Sequence, residues 1–223
     1  MKREIIVTAD GSSTIHIPEW NEQYHSKYGA IQEANHVFIK NGLSLFSTDV
    51  ISILEIGFGT GLNSFITFLE SEKRDITIDY VGVEAYPILT KEIEQLNYVS
   101  VLKANNFNTV FAKMHEQKWE IKNKISTKFS LTKRKQFFNK ITDENCYNLI
   151  YFDAFGARVQ PELWTEAIFK IMYKALKKGG VLVTYSAKGS VRRAMQSVGF
   201  VVERLAGPPG KREMLRATKK QFI

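Results

Sequence analysis

The chain has 223 residues, 44% of them hydrophobic and 24% charged, with a formal net charge of +8. That length suits one α/β domain with a sizeable core, and the composition excludes fibrous and disordered classes. No apolar run reaches membrane-spanning length, the first residues lack a signal-peptide apolar region, one cysteine (Cys146) excludes an internal disulfide, and four scattered histidines offer no metal-ligand spacing.

A metal-free cytoplasmic protein is therefore expected. In chain order, residues 4–8 and 14–17 predict a hairpin around Asp10-Gly11-Ser12. Residues 20–47 read as helical or irregular. Strands are predicted near 50–56, 78–84, 127–132, 147–153, 180–186, 200–205 and 212–218. Helices are predicted near 61–71, 87–96, 105–116, 161–177 and 188–198. The alternation implies a mostly parallel sheet covered on both faces. Gly179-Gly180 and Gly199 read as helix C-caps, and the Lys-rich run 117–126 as a flexible insertion. The division expected is an N-terminal extension over 1–48 and a main domain over 49–223.

The run Ile51-Ser52-Ile53-Leu54-Glu55-Ile56-Gly57-Phe58-Gly59-Thr60-Gly61 carries the most information. A buried strand passes into three glycines at alternate positions and then a helix. This is how open α/β sheets let backbone approach a nucleotide. Leu62 stands where a dinucleotide fingerprint needs glycine. The spelling E-x-G-x-G-T-G instead resembles motif I of class I S-adenosylmethionine (SAM) methyltransferases. Glu84 ends the next strand, where a carboxylate accepts from ribose hydroxyls. Asp153 ends a third apolar strand, Ile150-Tyr151-Phe152, and should face the same crevice. There it would position an amine or accept its proton.

Charge is concentrated. Residues 118–140 hold eight Lys/Arg and one acid, and residues 188–223 hold nine and two. The remainder is net acidic. Two basic segments on an acidic body suit a polyanionic substrate; the alternative is a pair of solvated surface faces.

Further runs make the resemblance specific. They include Tyr28-Gly29-Ala30-Ile31-Gln32-Glu33, Phe58-Gly59-Thr60-Gly61-Leu62-Asn63, Val83-Glu84-Ala85-Tyr86-Pro87 and Phe152-Asp153-Ala154-Phe155. Pro161-Glu162-Leu163-Trp164-Thr165, Gly189-Ser190-Val191-Arg192-Arg193 and Gly207-Pro208-Pro209-Gly210-Lys211-Arg212-Glu213-Met214-Leu215 follow in order. The chain resembles the methyltransferase domain of bifunctional tRNA 5-methylaminomethyl-2-thiouridine biosynthesis proteins, standing alone.

The resemblance implies a Rossmann-like sheet with an antiparallel last strand; in the N-terminal extension, Tyr24, His25 and Tyr28 are expected to cover the cofactor. It implies methyl transfer from SAM to the amine of 5-aminomethyl-2-thiouridine at the tRNA wobble position. Cofactor contacts fall on Glu55, Gly57, Phe58, Gly59, Thr60, Gly61, Asn63, Glu84, Gln136 and Asp153, with Asp153 also catalytic. Phe155, Lys188, Arg192, Arg193, Lys211 and Arg212 are the expected tRNA contacts. No oxidase domain is expected, so upstream wobble-uridine enzymes would supply the amine on the same tRNA. Two departures stand out. Gly156-Ala157 replaces the family's Ala-Pro after Phe155, and Lys133-Arg134-Lys135-Gln136 replaces an acid that meets adenine. The alternatives are another amine or RNA acceptor, or a noncatalytic RNA-binding module on the same scaffold.

Overall fold

The computed structural model describes residues 2–220. Its strands are β1 (Glu4–Val7), β2 (Ser13–Ile17), β3 (Glu22–Gln23), β4 (Val50–Ile56), β5 (Thr77–Val83), β6 (Lys122–Lys124), β7 (Phe129–Arg134), β8 (Tyr147–Phe152), β9 (Leu176–Thr184), β10 (Phe200–Ala206) and β11 (Glu213–Lys219). Its α-helices are α1 (Ala30–Ala34), α2 (Leu62–Arg74), α3 (Thr90–Ile93), α4 (Tyr98–Val101), α5 (Asn108–Glu116), α6 (Glu166–Ala175) and α7 (Gly189–Ser197). An eight-stranded sheet runs β10-β11-β9-β8-β4-β5-β7-β6, and β1-β2-β3 form a small antiparallel sheet.

The centre of the large sheet is parallel: β4 pairs with β5 and β8, β5 with β7, and β8 with β9. The last strand, β11, is antiparallel to both β9 and β10, as expected. The chain moves outward from β4 to β7, then returns to β8 on the other side of β4. That reversal opens a crevice at the carboxyl ends of β4 and β8, the place where open α/β sheets bind ligands.

Alternation along the strands sorts the core into two layers. Ile51, Ile53, Tyr80 and Tyr151 face Phe65 and Phe68 of α2 and Phe111 of α5. Leu54, Ile56, Ile150 and Phe152 face Phe169 and Met172 of α6 and Val191 of α7. Ala34, Val37, Phe38 and Leu43 belong to the first layer. The division expected at residue 48 therefore separates segments that share one core.

Four local expectations differ from the structure. Residues 122–124 form the edge strand β6, antiparallel to β7, where a flexible insertion was expected. The segment 87–96 yields only the single turn α3, with α4 following as another. The helix expected over 161–177 breaks into a 3-10 turn, Pro161–Trp164, and then α6. Gly179-Gly180 lies inside β9 and is not a cap. There the pairing with β8 slips from Tyr147–Leu176 to Leu149–Val181. A Cβ on Gly180 would stand 2.8 Å from the Lys177 carbonyl oxygen, so this bulge requires glycine. Gly199 does follow α7 in a left-handed conformation, as expected of a cap.

Candidate active site

Gly57, Gly59 and Gly61 have φ of 90°, 49° and 73°, the left-handed region that penalises any Cβ. A Cβ on Gly57 would come 2.7 Å from the Asp153 carbonyl oxygen, so the ends of β4 and β8 touch backbone to backbone. The turn is tied to β5 as well. Gly57 N and Phe58 N both donate to Val83 O at 3.0 Å. Gly59 N donates to Glu84 Oε2 at 3.0 Å, and Tyr86 N donates to Glu84 Oε1 at 2.9 Å. Each carboxylate oxygen keeps a lone pair for a ligand hydroxyl.

Thr60 is held from three elements. Its Oγ1 lies 2.8 Å from His25 Nε2 and accepts from the Tyr98 hydroxyl at 3.0 Å. Its carbonyl accepts from His115 Nε2 at 3.1 Å. Burial pushes His25 and His115 down to about 4, so both rings are neutral at pH 7.

Under the turn, Asn63 Nδ2 donates to Glu55 Oε1 at 2.9 Å and to Asp153 Oδ2 at 2.8 Å. The strand period puts Glu55 and Asp153 on the α2 side of the sheet, and Asn63 meets them from the first turn of α2. Glu55 is fully buried, and burial raises its carboxyl well above the usual range. Burial also raises Asp153, to about 7, with the charge of Glu33 adding to the shift. The Asn63 hydrogen bond and the charge of Lys211 oppose it. An acid near 7 can take or give a proton at neutral pH.

The crevice holds a cavity of about 370 Å3. Of the expected residues, Gly57, Gly59, Glu84, Asp153 and Phe155 line it. Glu55, Thr60 and Asn63 lie beneath it as buried supports, and Phe58 packs against His115 and Trp119. Gly61 caps α2. Gln136 is not in the lining; Phe137, Phe138 and Asn139, just after it, are. Arg3, Trp20 and Ile168 also line the cavity and carried no signal in the sequence, while Leu163, another lining residue, stands in one of the runs that carry the resemblance. Arg3, just before β1, reaches across to Tyr86 O at 3.1 Å and Glu92 Oε2 at 3.2 Å, so the start of the chain is tied to the crevice. The lining suits SAM on three counts: glycine backbone without Cβ atoms, the Glu84 carboxylate for ribose hydroxyls, and apolar walls from Phe138, Ala154 and Leu163.

The basic residues divide. Lys122 pairs with Asp79 at 2.9 Å, Arg134 with Asp143 at 2.6 Å, and Lys128 with Asp75. Lys133 is buried and donates to His115 O, so half of the eight basic residues of the first segment are engaged within the fold. Lys188, Arg193 and Arg212 are exposed, and among the described residues they form no ion pair. Lys188 follows β9, and Arg212 lies in the turn between β10 and β11, at the same end of the sheet as the crevice. Arg192 is partly buried beside them, its Nε without a hydrogen-bond partner among the described residues. Lys211 turns inward to Glu33. No helix is long and apolar enough to cross a membrane. No metal-binding cluster of three or more His, Cys, Asp or Glu occurs among the described residues.

A parallel sheet reversing at a glycine turn, an acid ending the next strand and a cofactor-sized cavity define a SAM-dependent methyltransferase. Residues 97–220 match the S-adenosyl-L-methionine-dependent methyltransferase family, and the chain belongs to it. Relatives named tRNA 5-methylaminomethyl-2-thiouridine biosynthesis bifunctional protein MnmC occur in Marinomonas sp. and Delftia acidovorans. The first is 26% identical over 89% of this chain and 31% of its own length; the second is 28% identical over 92% and 33%. The chain thus spans about a third of the length of these relatives. MnmC2 from Aquifex aeolicus superposes with a TM-score of 0.78 at 25% identity, covering 100% of this chain and 71% of that one. Spermidine synthase from Thermotoga maritima shares the fold alone, with a TM-score of 0.58 at 13% identity over 96% of this chain and 72% of that one.

Proposed function

We propose that the chain methylates the primary amine of 5-aminomethyl-2-thiouridine at the tRNA wobble position, giving 5-methylaminomethyl-2-thiouridine. The carrying observation is the placement of Asp153 in the lining of the large cavity, supported by Asn63 and lifted to about 7. The similarity to MnmC proteins over most of this chain supports the tRNA acceptor, and the basic rim of Lys188, Arg193 and Arg212 supports a polyanion.

SAM, bound in the large cavity, supplies an electrophilic methyl group on a sulfonium. The glycine turn would hold the cofactor through backbone contact, and Glu84 would accept from its ribose hydroxyls. Tyr24 and Trp20 pack on Phe155 with ring centroids 4.9 Å and 5.5 Å apart and screen the site from water. An alkylamine arrives protonated, as lysine is with a pKa of about 10.4. Ionised Asp153 accepts that proton at a carboxylate oxygen and frees the nitrogen lone pair. The freed lone pair would then be the acceptor for the methyl group that SAM would supply, the carbon–sulfur electron pair remaining on sulfur. Most of the remaining acceleration comes from alignment. Enzymes acting earlier on the same tRNA would install the aminomethyl group.

The test is methyl transfer from labelled SAM to tRNA bearing 5-aminomethyl-2-thiouridine, beside the same tRNA without the aminomethyl group. Label in the first alone is the expected result. Label in neither, with SAM binding intact by calorimetry, overturns the wobble-uridine acceptor.

A further inference from the structure

A second cavity, of about 180 Å3, adjoins the first. Tyr24, His25, Ala154 and Phe155 line both, so the two share one wall. Asp153 stands on the large side of that wall, immediately before its Ala154-Phe155 segment. The far side is built from Tyr28, Glu33, Tyr185 and Lys211. Glu33 is 6% exposed; it accepts from Ser26 N at 2.9 Å and holds the Lys211 ammonium. That ammonium lies 4.0 Å from the Tyr185 ring centroid, and the Tyr185 hydroxyl donates to Ala154 O at 2.8 Å. The pair is thereby fastened to the shared wall. An ion pair of one buried and one half-buried partner adds little to stability, because desolvation offsets its attraction. Its consequence here is positional. It fixes a cation among aromatic rings, in a recess that abuts the reacting centre and holds about one nucleobase.

We propose that the smaller cavity receives the extruded pyrimidine of the acceptor nucleotide, with Lys211 donating to an oxygen or sulfur on the ring edge and the aromatic rings covering its face. This inference rests on the tRNA reading above. Enzymes that modify a base take it out of its stack, and splayed bases stack on aromatic side chains. The pyrimidine edge carries two acceptors, and a lysine ammonium offers donors only. Glu33 is the positioning residue: it keeps Lys211 folded over Tyr185 and away from solvent phosphates. A base held there sets its C5 substituent toward Ala154 and Phe155, which line both cavities and directly follow Asp153 in the chain.

Lys211→Met keeps the stem and removes the charge. It should raise KM for aminomethylated tRNA about tenfold, the scale of one charge-assisted hydrogen bond. SAM affinity by calorimetry and the salt dependence of tRNA binding should stay as in the wild type. A fall in the salt slope with KM otherwise unchanged would make Lys211 a phosphate contact and overturn the proposal. Unchanged KM overturns it too, while methylation by the wild type leaves the wobble-uridine reading standing. No methylation by the wild type overturns both. A second arm needs no variant: anticodon stem-loop RNA with 4-thiouridine at the acceptor position is irradiated on the wild-type protein. Cross-links to Tyr28 or Tyr185 are expected; cross-links confined to the outer rim at Arg193 or Arg212 overturn the pocket.

Discussion

Asn63 donates to Asp153 at 2.8 Å from the first turn of α2, and the same amide nitrogen donates to Glu55 at 2.9 Å. One amide thus spans the ends of β4 and β8. The hydrogen bond favours the ionised form of Asp153 and holds its carboxyl lower than burial alone would. Asn63→Ala removes it. The acidic limb of the kcat–pH profile should then move up by about one pH unit, with lower turnover at pH 7. An unmoved limb would show that Asp153 is not the group titrating in turnover.

Asp153→Asn keeps size and removes the base. Turnover should fall about 10²–10⁴-fold, the usual contribution of general base catalysis, while calorimetric SAM affinity changes little. Loss of SAM affinity in step with turnover would assign Asp153 to cofactor binding instead.

The same variant makes a stability prediction. Asp153 has its folded pKa raised to about 7, so its contribution is most favourable below about 4 and is lost as pH rises through 7. His25 and His115 are lowered to about 4, so theirs is present above about 6.5 and lost as pH falls through 4. The two effects oppose each other in the wild type. Asp153→Asn removes the first, so its melting temperature relative to the wild type should rise between pH 5 and pH 8. A constant difference across that range would contradict the raised carboxyl.

Gly57→Ala meets a positive φ and a carbonyl oxygen 2.7 Å away. It should destabilise by about 1–3 kcal/mol and weaken SAM binding, because the β4 and β8 ends must separate. Thermal melts with and without SAM check this; a wild-type melting temperature would mean the turn is looser than its geometry.

Arg193 and Arg212 are exposed and unpaired among the described residues, whereas Lys122 is paired with Asp79. Arg193→Ala or Arg212→Ala should weaken tRNA binding and lower its log–log salt slope by about one. Lys122→Ala should leave that slope alone. Equal effects from all three would indicate diffuse attraction and no defined rim.

Much of the site was legible because it is local. Gly57, Gly59 and Gly61 sit within one turn, and Glu84 and Asp153 each end an apolar strand, so periodicity and chain order placed them on one rim. β7 runs on to Arg134 and the chain meets the cavity at Phe137, just past Gln136, a boundary that strand periodicity does not fix to the residue. Gly179-Gly180 read as a cap because a bulged strand start and a helix end both favour glycine. The Lys-rich run 117–126 reads as loose because the pairing of β6 with β7 and of Lys122 with Asp79 is not visible in the run itself.

The amino-acid sequence by itself determined the alternating strands and helices, the glycine turn and the carboxylates at the strand ends. These depend on hydrophobic period and backbone chemistry within short windows. Only the tertiary structure decided that Arg3 and Trp20 line the crevice, that Lys133 is buried while Arg212 is exposed, and that Glu33 meets Lys211. Those outcomes depend on which distant segments share a desolvated space, and the energy of a charge depends on that space far more than on its neighbours in the chain.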